Sequence, residues 1–168
     1  MITDSPYEVS SHIVSPRMGL GVGLVAALLM LVPIQAVEAI SGFSVKEALL
    51  SLGGLMWSSP ATLKADALQQ LCGLALHLTG GAVFGLLYAV CQQRAERRNL
   101  IAVGLFYGFL LWIGGSLFVG PWVDERLRVM LRSWAWLVGW LVYGLCLACA
   151  AIRLNGKRSG GVPAQPLD

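Results

Sequence analysis

The chain has 168 residues, 57% of them hydrophobic and only 12% charged, and its mean hydropathy is +0.71. Soluble domains carry about 25% charge, so this composition argues against a water-soluble enzyme and against a disordered or collagen-like chain. The net charge of +3, from 12 Lys and Arg against 9 Asp and Glu, includes no basic stripe to track a nucleic-acid backbone, and no nucleic-acid partner is expected.

Residues 1–17 read as a polar N-terminal tail. The first apolar run, Met18 to Ile40, is long enough to cross ~30 Å of hydrocarbon at 1.5 Å per residue. Gly19 to Val32 also resembles the apolar stretch of a signal peptide, with the small-residue pattern Val37-Glu38-Ala39 after it. Asp4 and Glu8 precede that stretch without any Lys or Arg before Arg17, whereas a signal peptide starts basic, so a retained span is the expectation. Between Ser41 and Ala67, Val45, Leu49, Leu50, Leu52 and Leu55 recur around Lys46 and Glu47, which predicts a short interfacial helix.

The second run is Leu68 to Cys91, the third Leu100 to Val119 and the fourth Trp134 to Ile152. Gln92 to Asn99 is a polar hairpin carrying Arg94, Arg97 and Arg98. Gly120 to Ser133 holds Asp124, Glu125, Arg126, Arg128 and Arg132, and on a helical turn Asp124, Arg128 and Arg132 share a face that pairs its own charges. Residues 153–168 carry Gly156, Gly160, Gly161, Pro163 and Pro166 without a core pattern and are expected to be disordered. The predicted fold is therefore all-α: an integral membrane bundle of four transmembrane helices over 18–152 (18–40, 68–91, 100–119, 134–152), with short interfacial helices in the outer connections.

Seven Lys and Arg fall on the face shared by the termini and the second connection, and five on the opposite face. By the excess of basic residues on the cytoplasmic side, both termini are expected to be cytoplasmic. Trp57, Trp122, Trp134 and Trp136 gather near the opposite face and are read as interfacial anchors. Cys72, Cys91, Cys146 and Cys149 all lie in or at the end of apolar runs and read as small buried hydrophobes, with no metal site expected.

Helices in a bilayer associate through close packing that small residues permit. Gly19 and Gly23 are four apart on the first run, Gly81 and Gly85 on the second, and Gly104 and Gly108 on the third. On the fourth, Ala135 with Gly139 and Gly144 with Ala148 repeat that spacing. These GxxxG-type faces serve packing within the bundle or against other subunits or copies. On the second run Gly73, His77, Gly81 and Gly85 form one column at steps of four, which places His77 on the packed face about 13 Å into the span. An intramembrane ionisable residue is a functional hypothesis by default. For His77 the alternatives are a hydrogen bond to a neighbouring helix, contact with a proton or solute, and ligation of a chlorophyll-type pigment or haem in the room left by Gly73 and Gly81. Glu38 and Gln35, one turn apart, form a second polar notch. Their depths differ from that of His77, so pairing with it needs a tilt, a water or a kink at Pro33, which frees the carbonyl of Leu29.

The segment His77-Leu-Thr-Gly-Gly-Ala-Val-Phe-Gly-Leu-Leu-Tyr88 resembles the signature of a family of uncharacterised bacterial four-helix inner-membrane proteins. The glycine-studded first run with Met30, the Gly104 to Trp112 segment, and Trp140-Leu-Val-Tyr143-Gly144 are similar to the corresponding family segments. The resemblance implies a four-helix fold in the bacterial inner membrane and no established activity. The family often has histidine where this chain has Trp140, which weakens a two-histidine site.

No nucleophile-and-base motif, zinc-protease motif or phosphate loop occurs, so a catalytic role is not expected. The expectation is a non-catalytic accessory or structural subunit that packs against other membrane proteins. A small-solute transporter or channel, and a pigment- or haem-binding subunit, are the alternatives.

Overall fold

The computed structural model describes residues 15–41, 44–55, 65–92, 99–119 and 125–159. Among them the chain is helical, in the order α1 Pro16–Ser41, α2 Val45–Gly54, α3 Ala65–Cys91, α4 Leu100–Gly114, α5 Glu125–Arg132 and α6 Trp134–Ser159. Four segments are long and apolar enough to cross a membrane: Pro16–Val37, Ala67–Cys91, Leu100–Val119 and Trp134–Leu154. They agree with the four expected runs to within three residues at every boundary.

Helix ends follow local chemistry. Ser15 accepts from Met18 N–H at 3.4 Å through its hydroxyl, and Pro16 occupies the first helical position, where its missing N–H costs nothing. Ser44 caps α2 by accepting from Glu47 N–H at 3.3 Å, and Ser133 accepts from Trp136 N–H at 3.4 Å at the start of α6. The last span departs from expectation at its far end, because α6 continues past Ile152 to Ser159. The first part of the expected tail is therefore helix; residues 160–168 lie outside the described residues.

The backbone contacts give the order of packing. α1 lies between α3 and α6, and α4 packs on the other side of α6. Each neighbouring pair is antiparallel: Gly19 faces Gly85 and Ala89 while Ala27 faces Gly81, Gly139 meets Ile34, and Gly104 meets Gly144 while Gly108 meets Trp140. The start of α1, the end of α3, the start of α4 and the end of α6 thus share one end of the bundle, here the proximal end. The end of α1, the start of α3, the end of α4 and the start of α6 share the distal end.

Two short helices close the distal end. On α2, Gly53 approaches Gln69 and Leu49 approaches Gly73, so α2 runs back along the first turns of α3, and Gln69 Nε2 donates to Leu50 O at 2.8 Å. The α2 segment is therefore docked on the bundle rather than resting at the interface alone. α5 buries Leu127, Met130 and Leu131 and leaves Glu125 and Arg132 exposed, with Arg128 donating to Glu125 at 2.8 Å. Asp124, the expected member of that face, lies outside the described residues.

Candidate functional site

The glycine column on α3 meets two different partners. A Cβ at Gly81 would collide with Ala27 of α1, and one at Gly85 would lie 2.5 Å from Gly23 Cα, whereas one at Gly73 would run into the Leu49 carbonyl of α2. All nine glycines singled out from their spacing, Gly19, Gly23, Gly73, Gly81, Gly85, Gly104, Gly108, Gly139 and Gly144, sit against atoms of this same chain. The room expected beside His77 at Gly73 and Gly81 is thus filled by α2 and α1.

His77 itself hydrogen-bonds across the bundle, with Nε2 at 3.0 Å from Ala27 O. A carbonyl only accepts, so Nε2 carries the proton and Nδ1 keeps a lone pair. The partner is Ala27, not Leu29, whose carbonyl Pro33 frees, and not Gln35, which is exposed. Glu38 belongs to the last turns of α1, and its side chain lies outside the described residues. Of the four tryptophans read as anchors, Trp134 is 66% exposed, but Trp136 is 3% exposed and belongs to the core. The two stand two residues apart on α6 and so point to different sides of the helix. Trp57 and Trp122 lie outside the described residues.

Tyrosine hydroxyls form the other cross-links. Tyr143, fully buried, donates to Gly81 O at 2.6 Å, and Tyr107 donates to Phe84 O at 2.7 Å. Tyr88 and Tyr107 pack with ring centroids 5.2 Å apart. The last two contacts tie α3 to α4 at mid-bundle, where the backbones of these helices do not pack. A tyrosine inside an apolar run usually finds a partner for its hydroxyl, a signal that marks Tyr107 and Tyr143 in the sequence, whereas the buried Tyr88 hydroxyl has no hydrogen-bond partner among the described residues.

Distal to this tie, α3 and α4 diverge around a cavity of about 490 Å³. Leu76, His77, Gly80 and Phe84 line it from α3, and Leu110, Gly114, Gly115 and Phe118 from the α4 side. Trp136 and Trp140 close it from α6, Ala27 and Met30 from α1, and Leu52, Leu55 and Leu131 from the two short helices. Gly114 and Gly115 have nothing within 4 Å of a would-be Cβ. Directly after Gly114 the helix widens to a π-helical segment, Gly115–Val119, held by Ser116 Oγ donating to Leu131 O at 2.9 Å. Single π-helical turns inside helices recur at functional sites. The buried Nε1 of Trp136 has no hydrogen-bond partner among the described residues.

The volume of this cavity, about 490 Å³, lies within the 300–1,000 Å³ typical of small-molecule sites. Among the described residues no Asp, Glu, Lys or Arg lines it. All four cysteines are free thiols. Among the described residues no three His, Cys, Asp or Glu side chains gather as a metal site would require.

The model of DUF6789, a family of unknown function, matches residues 13–161. The chain belongs to that family. The match covers every described element of this DUF6789 chain, cavity walls included. No curated protein and no solved structure matches it.

Proposed function

We propose that this DUF6789 chain is a non-catalytic polytopic membrane protein, an accessory subunit, whose working part is the distal cavity, and that the cavity holds a neutral apolar guest taken from the bilayer. The observation that carries this reading is the pair Gly114 and Gly115. They line the cavity, and no neighbouring atom requires them to be small. The volume of about 490 Å³ lies between two spans and opens at its rim, where Leu55, Leu110 and Phe118 are exposed, so a guest dissolved in the bilayer can reach it. Association with other subunits, on this reading, proceeds through the bulky outer surface, because the spaced glycines are occupied within the chain.

In this proposal both termini are cytoplasmic and the membrane is a bacterial inner membrane; the excess of basic residues on the side of the termini supports the orientation, and the sequence resemblance supports the membrane. A cysteine introduced at Asn99, after replacement of the four native cysteines, labels from the cytoplasmic side only; labelling from outside reverses the orientation. The cavity reading is tested by thermal unfolding of the purified protein with neutral apolar compounds. A guest that binds the folded state raises the unfolding temperature with its concentration, and Gly114→Leu, which puts a side chain into the cavity, abolishes the rise. A panel that includes fatty acids, quinones and sterols and shifts nothing removes the proposal.

A further inference from the structure

The end of α4 holds one residue more than a regular helix would. Bonds of the i→i+5 kind accommodate that residue in a widened turn, and Gly115–Val119 forms a single turn of this kind. If the turn tightened to the α form, the side chains at its end would advance round the axis by close to one helical position, about 100°. Leu117 would then occupy the place of Phe118, and Phe118 that of Val119. Phe118 and Val119 line the distal cavity, and Leu117 is not among its lining residues, so the two forms put different side chains on the wall.

The surroundings permit both forms. Gly114 and Gly115 lead into the turn with nothing within 4 Å of a would-be Cβ, so the backbone can rotate there without striking a neighbour. Beyond α4 itself, the main backbone neighbour of the turn is α5. Leu117, Phe118 and Val119 are exposed, and exchanging one apolar side chain for another against lipid changes little. What distinguishes the forms is Ser116, whose buried hydroxyl donates to Leu131 O at 2.9 Å. Leu131 lies in the last turn of α5, where carbonyls find no partner within their own helix. Tightening moves Ser116 part of the way towards the place of Leu117, and its short side chain then loses that carbonyl. A bond back to the carbonyl four residues earlier, the usual substitute for a helical serine, slightly destabilises the helix instead. We propose that Gly115–Val119 is a two-register switch in the cavity wall. The Ser116–Leu131 bond holds the wide turn, and its release lets the turn tighten, which exchanges Phe118 and Val119 on the wall for Leu117 and Phe118. The switch does not depend on the guest-site reading, because the register belongs to the chain alone.

The test is a distance measurement between spin labels on the full-length protein in lipid nanodiscs, with the four native cysteines replaced by alanine. One pair of labels is attached through Phe118→Cys and Val32→Cys, and a second through Leu110→Cys and Val32→Cys; all three positions are exposed, and position 110 lies ahead of the turn. A helix with its side chains is about 10–12 Å across, so the rotation displaces a side-chain tip at position 118 by roughly 7 Å. Ser116→Ala is expected to raise the share of the displaced component by about three- to tenfold, the worth of one hydrogen bond. Ser116→Thr, which keeps the hydroxyl, leaves the distribution as it is with serine, and the Leu110 pair keeps one distance throughout. An unchanged distribution at position 118 in Ser116→Ala overturns the switch. So does an equal change in Ser116→Thr, or a matching shift of the Leu110 pair, which would report movement of the whole helix. If Ser116→Thr fails to fold, Ser116→Ala against the Leu110 pair decides alone. None of these measurements uses a ligand, so failure of the switch leaves the guest-site reading standing, and failure of that reading leaves the switch.

Discussion

The proximal half of the bundle and the α3–α4 side of the distal half, Gly73 aside, use the same residue in opposite ways. Proximally, α1 meets α3 at Gly19, Gly23 and Gly85, and α4 meets α6 at Gly104 and Gly144, so that any side chain there would strike backbone or a neighbouring side chain. Distally, Gly114 and Gly115 face open space beside a cavity of about 490 Å³. The adjacent pair Gly80 and Gly81 shows the change within one step of α3. At Gly81 a Cβ would collide with Ala27, while at Gly80 the nearest atom is 4.0 Å away on a phenylalanine ring. Glycine content in a membrane helix thus reports backbone approach only where a second helix is present to approach, and elsewhere it makes room.

That contrast breaks most sharply under leucine substitution. Gly85→Leu and Gly81→Leu force α1 away from α3 and are expected to cost about 3 kcal/mol or more, the upper range for overpacking, measured by thermal unfolding in detergent. Gly115→Leu is expected to unfold within about 0.5 kcal/mol of the unsubstituted protein, as surface changes do, although it adds the same side chain. Val83→Phe, on the exposed face of α3, behaves like Gly115→Leu. Equal damage from all four substitutions would erase the distinction between the halves.

The four spans were legible because hydropathy and length together define a crossing helix, and the start at Pro16 rather than Met18 is a matter of one cap. Which face of each helix meets protein was legible only through glycine spacing. In a bilayer the lipid-facing and bundle-facing sides are both apolar, so the alternation that reveals a buried face in water is absent. The column Gly73, His77, Gly81 and Gly85 accordingly reads as one surface, although α2 covers its first member and α1 the rest. The docking of α2 was not legible, since a ten-residue amphipathic helix carries the same pattern at an interface as on a neighbouring helix. Trp136 was misplaced for a similar reason: proximity to a span end suggests an anchor, but the angular position on α6, fixed by packing against α1 and α5, decides burial. The cavity had no sequence signal, because Gly114-Gly115 resembles any other small-residue pair until its neighbours are known.

A smaller effect separates the two tyrosine links. Tyr143→Phe removes the bond to Gly81 O in the fully buried centre, and Tyr107→Phe removes the bond to Phe84 O that ties α3 to α4. Each is expected to cost about 1 kcal/mol. The two differ in what else they change. Tyr107 sits where the packed half gives way to the open half, so Tyr107→Phe loosens the α3–α4 tie and increases labelling of a cysteine placed at Gly80, whereas Tyr143→Phe leaves that labelling as it was. Equal labelling in both variants would place the boundary between the halves elsewhere.

Among the hydrogen-bonding side chains the smallest expected effect belongs to His77, which stands on the boundary, bonded to the packed side through Nε2 and lining the cavity on the other. The Ala27 carbonyl that accepts from it lies within α1, where it is also positioned to accept from the helix's own backbone, so losing the imidazole does not orphan it. Hydrogen bonds between membrane helices average about 0.6 kcal/mol, and asparagine keeps an N–H donor of shorter reach. His77→Asn is therefore expected to fold with a loss of about 0.6 kcal/mol or less. A pigment or haem ligated by His77 would give the purified protein a visible or near-infrared band lost in this variant. The protein is expected to be colourless, because the flanks at Gly73 and Gly81 are filled and one ring nitrogen is already bonded. A large loss of stability in His77→Asn would instead show that the imidazole holds α1 and α3 together, extending the packed half to the cavity wall.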